Sequence, residues 1–174
     1  IENLINEFSD FARMPKPLIK QNNLNEVIRE NINLVNKIDN SIKIKLINHL
    51  KNDIIIKFDN EQFSRLFFNL IKNSLESIQE KSKKHRKINK NIDIEIRQRR
   101  DYINVSIVDT GIGFKGKKTK DLIKPYFTTK DKGTGLGLSI VDKIISDHNG
   151  SINFLNHKSG AKIQIIIPIK KNVS

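Results

Sequence analysis

Three groups of residues have the types and spacing to do chemistry, and all three suit a polyanionic ligand. The first is a pair of amides, Asn69 and Asn73, in a run whose apolar residues recur at three and four. Counting about 100° per residue puts them, with Glu76, on one stripe of a helix at the margin of its buried face. Amide oxygens there can ligate a hard cation and amide hydrogens can meet phosphate. Mg²⁺ in phosphate sites keeps several waters and takes few protein ligands, so one amide oxygen suffices. The second group is Asp109-Thr-Gly111-Ile-Gly113, where a strand breaks into a turn. A carboxylate at a strand end can accept the exocyclic amine of adenine, and the glycines let backbone approach the base. The third is Gly133-Thr134-Gly135-Leu136-Gly137, leading into a helix. Glycine-rich backbone feeding a helix N-terminus is an anion site, because free N–H groups and the helix dipole both favour negative charge. Glycines at alternate positions would otherwise cost stability there. The spacing is neither that of a P-loop nor that of a dinucleotide fingerprint. Taken singly, an asparagine pair on a helix flank is ordinary surface in a chain this rich in asparagine, and D-x-G is a common turn.

The elements that must position these groups are legible as periodicities. Phe63, Leu66, Phe67, Leu70, Ile71, Ser74, Leu75 and Ile78 give a helix over 59–79 one buried face, with Asp59 as its cap. Residues 24–38 predict a second helix. The stretches 42–50 and 53–58 alternate β-branched residues and suggest a hairpin. A basic loop over about 80–91 leads to strands at 92–99 and 102–108. Asp109 to Lys132 has no clear period. A helix over 136–148 is closed by Asn149-Gly150, and strands at 151–155 and 161–168 follow. The order predicts an α/β two-layer sandwich, with helices on one face of a mixed, mostly antiparallel sheet. Ahead of it, Ile1, Leu4, Ile5, Phe8, Phe11 and Ala12 have helical spacing, which Met14-Pro15-Lys16-Pro17 stops. We expect that helix to arrive from an N-terminal module, and the chain to be part of a longer protein.

The 174 residues suffice for one domain with a real core, although the apolar share is only 37%. Lys+Arg of 32 against Asp+Glu of 19 leaves +13. Such a charge permits contact with nucleic acid or an anionic membrane. No recognition motif accompanies it, so the simpler reading is a lysine-rich solvated surface and a site that attracts polyphosphate. With no cysteine there is neither a disulfide framework nor a thiolate metal site. His49, His85, His148 and His157 lack ligand spacing. No apolar run approaches the length of a membrane span and no signal peptide opens the chain, which leads us to expect a cytoplasmic location.

In their order and spacing, Asn69/Asn73, Asp109-x-Gly111-x-Gly113, Pro125-Tyr-Phe-Thr-Thr-Lys130 and Gly133-Thr-Gly-Leu-Gly137 closely resemble the N, G1, F and G2 boxes of the bacterial sensor histidine kinases. These belong to the superfamily that also holds the gyrase, Hsp90 and MutL ATPases. The resemblance covers roughly residues 18–169. NLIKNSLESI and PYFTTK look most like the nitrogen-regulation, NtrY-type branch, and NEFSDFARMPKP resembles the end of that branch's dimerisation hairpin. It implies a division into 1–17, helix end and linker, and 18–174, a catalytic ATP-binding domain of the Bergerat α/β sandwich type. Asn73 matches the asparagine that coordinates Mg²⁺, and Asn69 lies beside the phosphates. Asp109 matches the adenine-recognising aspartate, supported by Gly111 and Gly113. Gly133, Thr134, Gly135, Leu136 and Gly137 match the backbone that binds the phosphate tail, and Lys130 a lysine near the terminal phosphates. The segment between Gly113 and Gly133 matches the mobile ATP lid. The implied reaction moves the γ-phosphate of Mg-ATP to a histidine of an upstream dimerisation module and serves a response regulator. The implied parent is a homodimer and, by analogy, anchored in the inner membrane.

Three departures stand out. Ser74 replaces the usual alanine on the buried side. Leu122-Ile123-Lys124-Pro125-Tyr126-Phe127 has Ile and Lys where Phe and Glu are common. Lys115, Lys117, Lys118 and Lys120 make the lid basic and suited to phosphate. By context no histidine here is the acceptor: His148 reads as structural near a helix C-terminus, His85 lies in the basic loop, and His49 and His157 sit near strand ends. The domain's work is then positioning and charge neutralisation. An ATP-driven conformational machine of the gyrase or Hsp90 type would carry a glutamate base in the N-box region. Asn69, one turn before Asn73, favours transfer to histidine. A nucleotide sensor that only binds is a further alternative. A basic nucleic-acid binder is another, and it would show a salt-dependent DNA affinity that ATP does not compete with.

Overall fold

In the computed structural model, which describes residues 9, 13–85, 87–128 and 133–169, alternating isoleucines build one sheet and amphipathic helices cover it. The elements run β1 (Lys20–Asn23), α1 (Leu24–Ile38), β2 (Lys43–Asn48), β3 (Ile55–Phe58), α2 (Asn60–Lys84), β4 (Asn91–Gln98), β5 (Tyr102–Asp109), α3 (Thr119–Leu122), α4 (Gly137–Asp147), β6 (Ser151–His157) and β7 (Gly160–Pro168). The helix expected over 1–14 falls almost wholly outside the described residues.

The main sheet has the order β2-β4-β5-β7-β6. β2 and β4 are parallel, and the other three pairings are antiparallel. A strand points alternate side chains to one face, so Ile92, Ile94 and Ile96, Ile103, Val105 and Ile107, and Ile163, Ile165 and Ile167 are all buried on one side. On them lie Leu24, Ile28 and Val35 of α1, Phe63, Leu66, Phe67, Leu70 and Ile71 of α2, and Val141 and Ile144 of α4. Each such side chain taken fully out of water stabilises the fold by about 1.5–3 kcal/mol. This is the expected α/β two-layer sandwich. The caps are local: the Asn23 side chain accepts from the Glu26 N–H, and Asp59 Oδ1 accepts from the Gln62 N–H at 3.0 Å.

Residues 42–58 do not form the expected hairpin. β2 lies parallel to β4, with Ile44 opposite Ile92. β3 pairs antiparallel with β1 in a separate two-stranded sheet, Ile55 opposite Asn23. Alternation reveals which face of a strand is buried and says nothing of its neighbour. β1, of sequence KQNN, has no apolar alternation to announce it. α2 continues to Lys84 where a loop from about residue 80 was expected. Its last turns, EKSKK, hold strong helix formers, and their lysines suit the negative end of the helix dipole. α4 closes at Asn149-Gly150 as expected: Asn149 is left-handed at φ 58°, and the Gly150 N–H returns to the Ile145 carbonyl at 2.9 Å.

α2 and α4 run antiparallel, which ties their ends together. His148 is buried at the end of α4 with its ring 4.7 Å from that of Phe63. Its Nε2 must accept from the Asp59 N–H at 3.0 Å, since an amide only donates. Nδ1 therefore carries the proton and donates to the Ile144 carbonyl at 2.7 Å. This is the structural role expected of His148. The linker is laid over the same end of α2: Gln62 Nε2 donates to the Pro15 carbonyl, and the Leu18 N–H donates to Asp59 Oδ2 at 2.6 Å. Among the described residues no helix is long and apolar enough to cross a membrane.

Candidate functional site

The antiparallel pairing of α2 and α4, with β5 beneath, brings the three chemical groups together. Asp109 ends β5 on its buried face and is only 2% exposed. Its Oδ1 accepts from the Gly111 N–H at 2.8 Å and the Ala161 N–H at 3.3 Å. Both bonds end on Oδ1, so Oδ2 is the oxygen left to meet a donor from a ligand. Burial pushes the carboxyl above its usual range. The Gly111 amide, the Ser74 hydroxyl, the Ala161 amide and the nearby Lys81 charge all pull the other way. Ser74 exerts its pull without a hydrogen bond of good geometry to the carboxylate.

The turn after β5 is pinned from three sides. Ser77, one turn beyond Asn73 on α2, accepts from the Ile112 N–H at 3.0 Å. Lys81 Nζ donates to the carbonyls of Thr110 and Ser159 at 2.9 and 3.0 Å. Across the site the β6–β7 turn presses close. A Cβ on Gly160 would meet the Asp109 carbonyl at 2.6 Å and Asp109 Oδ1 at 2.9 Å, so only glycine fits. Gly113 approaches the Gly160 carbonyl from the other strand. Gly111 and Gly113 thus do allow close backbone approach, here to α2 and β7.

Asn69 and Asn73 are both half-buried on α2, at the margin of its apolar face as expected. α4 starts at Gly137, which lies against Asn69: a Cβ there would be 3.5 Å from its Oδ1. Leu136 is fully buried and acts as N-cap residue without a side-chain hydrogen bond, so the first-turn N–H groups have no side-chain cap. Its own N–H reaches Thr134 Oγ1 at 3.4 Å. Gly133 is exposed. Gly135 has φ +72°, and a Cβ there would run into the backbone of Tyr126 and Phe127. The 125–127 segment thereby rests on the glycine segment. Lys130 lies outside the described residues.

Between these anchors runs the segment 114–128, which includes α3. The Phe114 N–H donates to Asn156 Oδ1 at 3.1 Å, and its ring meets Phe154 edge-on at 5.4 Å. Thr119 Oγ1 accepts from the Phe154 N–H, Leu122 packs into the core, and Lys117 lies 4.6 Å over the Phe127 ring. A cleft of about 480 Å³ opens between the end of α2, residues 111–116 and the β6–β7 turn. Lys81, Lys84, Lys115 and Lys158 line it, but Asn69, Asn73 and residues 133–137 do not. The donor set fits Mg-ATP: a buried carboxylate with one oxygen left over, amide oxygens one turn apart, and an uncapped helix start beside them.

Sequence reasoning missed Ser77, Lys81, Gly160 and Ala161. Their roles come from tertiary approach to Asp109, and only Gly160, a glycine at a strand turn, carried a local signal.

Residues 58–171 match the family model of the histidine kinase-, DNA gyrase B-, and HSP90-like ATPase. The nitrogen regulation protein NtrY of Azorhizobium caulinodans is 30% identical over 170 residues, covering 98% of this chain and 22% of that protein. Sporulation kinase E of Bacillus subtilis is 30% identical over 175 residues, covering 99% of this chain and 23% of that protein. The chain therefore spans less than a quarter of the length of these relatives. The solved catalytic domain of histidine kinase ThkA, in a nucleotide-free form, superposes with a TM-score of 0.73 at 29% identity, over 88% of this chain and 99% of that one.

Proposed function

We infer the function from one premise: the chain belongs to the histidine kinase-, DNA gyrase B- and HSP90-like ATPase family. It binds Mg-ATP and is the catalytic domain of a two-component sensor histidine kinase of the NtrY type. Its reaction passes the γ-phosphoryl group to a histidine on a dimerisation module. The observation that carries this reading is Asp109, buried at a strand end with both backbone donors on Oδ1.

Asp109 Oδ2 accepts from the exocyclic amine of adenine. The first-turn N–H groups of α4 receive phosphate oxygens, aided by the positive end of the helix dipole. Asn73 offers its amide oxygen to Mg²⁺, Asn69 donates to phosphate one turn earlier, and Lys130 reaches the terminal phosphates from the lid. Bound there, Mg²⁺ supplies neutralisation of the phosphate charge. The chain's own task is to hold the γ-phosphorus in line with an incoming imidazole nitrogen. The N–P bond forms as the bond to the departing ADP oxygen breaks. Asn69 has no carboxylate with which to activate water, which favours transfer over hydrolysis. The acceptor module, a response regulator and a second protomer complete the parent, a cytoplasmic catalytic unit tied to a membrane-anchored sensor. Nucleic acid is not among its partners.

Calorimetric titration of Mg-ATP into the chain tests this, beside Asp109→Asn and Asn73→Ala. We expect binding between micromolar and sub-millimolar. The first change removes it and the second uncouples it from Mg²⁺. The chain alone acquires no phosphohistidine, and a separately supplied dimerisation module does. A folded chain that ignores Mg-ATP overturns the reading.

A further inference from the structure

Ser74 is 2% exposed, and its hydroxyl has no hydrogen-bond partner among the described residues. A helical serine ordinarily returns its hydroxyl to the carbonyl four residues back; this one does not. A buried hydroxyl without a partner is unfavourable and rare in folded proteins, so its persistence calls for a use. Its neighbourhood supplies one. Ser74 follows Asn73 on α2 and acts on the Asp109 carboxylate, whose Oδ1 is already taken by two backbone donors. The other hydroxyl on this side of α2, Ser77, is committed to the Ile112 N–H. Ser74 Oγ–H and Asp109 Oδ2 therefore lie near each other where β5 ends under α2, without a hydrogen bond of good geometry between them.

We propose that Ser74 is a specificity-determining residue of the base pocket, donating to N1 of adenine directly or through one trapped water while Asp109 takes the adjacent exocyclic amine. The inference rests on the Mg-ATP reading above and deepens it. Adenine presents a donor at its amine and an acceptor at N1, side by side, which is the complement of this pair. Guanine presents the reverse order in the same two places, setting its carbonyl oxygen against the carboxylate. A site that hydrogen-bonds a ligand group discriminates strongly against an analogue lacking it, because its own polar group is then left unpaired. Alanine, which the resemblance leads one to expect at this position, would leave N1 without a protein donor.

The test is calorimetric titration of Mg-ATP and Mg-1-deaza-ATP, in which a C–H replaces N1, into wild type and Ser74→Ala, with a melting curve for each protein. Wild type is expected to prefer ATP by about tenfold, the worth of one well-made buried hydrogen bond. Ser74→Ala is expected to lose that preference by binding ATP more weakly while its affinity for the deaza nucleotide stays put. Its Tm should equal or exceed that of wild type, since an orphaned hydroxyl has been removed. An unchanged ATP affinity in Ser74→Ala, or equal losses for both nucleotides with a lowered Tm, overturns the proposal. If Asp109→Asn abolishes ATP binding while Ser74→Ala leaves it untouched, this inference alone fails. A folded wild type that binds neither nucleotide takes down the nucleotide reading and this inference together.

Discussion

The surroundings of Asp109 and the segment 114–128 are held by different forces. Around Asp109 the contacts are backbone to side chain and backbone to backbone. The amides of Gly111 and Ala161 meet the carboxylate, Ser77 holds Ile112, Lys81 clamps two carbonyls, and Gly160 leaves no room for a methyl group. None of these can shift without moving a strand. Along 114–128 the described ties are mostly lateral side-chain contacts: Phe114 to Asn156 and Phe154, Lys117 over the Phe127 ring, the Thr119 hydroxyl to a strand edge, and an ion pair between Asp121 and Lys124. Such an exposed, solvent-screened ion pair contributes little. One region therefore suits a ligand part of fixed shape, the base. The other suits a part whose charge and length change on reaction, the phosphate tail. The difference lies in how many backbone groups are committed in each.

The sharpest way to break that comparison is Asp109→Asn. An amide keeps an acceptor for Gly111 and Ala161 but weakens the acceptor for the adenine amine. Mg-ATP affinity should fall by at least about a hundredfold, the worth of a buried hydrogen bond to a charged group, which takes binding out of calorimetric range. The fold should nonetheless gain. Burial raises the Asp109 carboxyl in the folded state, so the folded chain holds that proton more tightly than the unfolded one. The associated stability is full below the ordinary carboxylate range and is lost as pH rises through the raised folded value. Asp109→Asn should thus melt a few degrees above wild type at pH 7, with the advantage vanishing in acid. A lower Tm at pH 7 would mean that the hydrogen bonds outweigh desolvation.

Gly160→Ala should act through stability instead. The added methyl meets backbone atoms at 2.6 and 2.7 Å, and overpacking of that kind costs about 1–3 kcal/mol. Denaturant unfolding should show the loss, accompanied by weaker nucleotide binding. If the midpoint is unchanged, the surroundings of Asp109 are softer than described. Asn73→Ala should leave the melting curve near wild type and cut Mg-ATP affinity by about tenfold, with metal-free ATP unaffected. The smallest effect belongs to Lys117→Ala, which removes a contact worth about 0.5–1 kcal/mol. Affinity should drop only a few-fold in low salt, and less at high ionic strength, where screening already weakens the attraction. A large, salt-insensitive loss would place Lys117 among the rigid contacts.

How far the sequence reached follows the same division between local and distant causes. α1 has the bounds its own pattern predicts, because Asn23 caps it and its apolar face repeats within one segment. The chemical groups were legible for a similar reason: each is a short run with its own geometry. β2 was misassigned because its partner β4 begins at Asn91, across α2, and nothing within β2 names it. β1 escaped notice because a polar strand is held by β3 and not by its own side chains. Ser77 and Ala161 were invisible because their roles come only from tertiary approach, Ser77 to the Ile112 N–H and Ala161 to Asp109.

The linker's anchorage at Asp59 has a consequence for reach. At 1.5 Å per residue, Asn73 stands about 21 Å along α2 from the residue that binds the Leu18 N–H. The chain at Leu18 is thus held at the start of α2, more than half the length of that helix from Asn73. On the proposed function, a histidine carried by a segment ahead of Pro15 would have to reach past that stretch of α2 to meet the phosphate end.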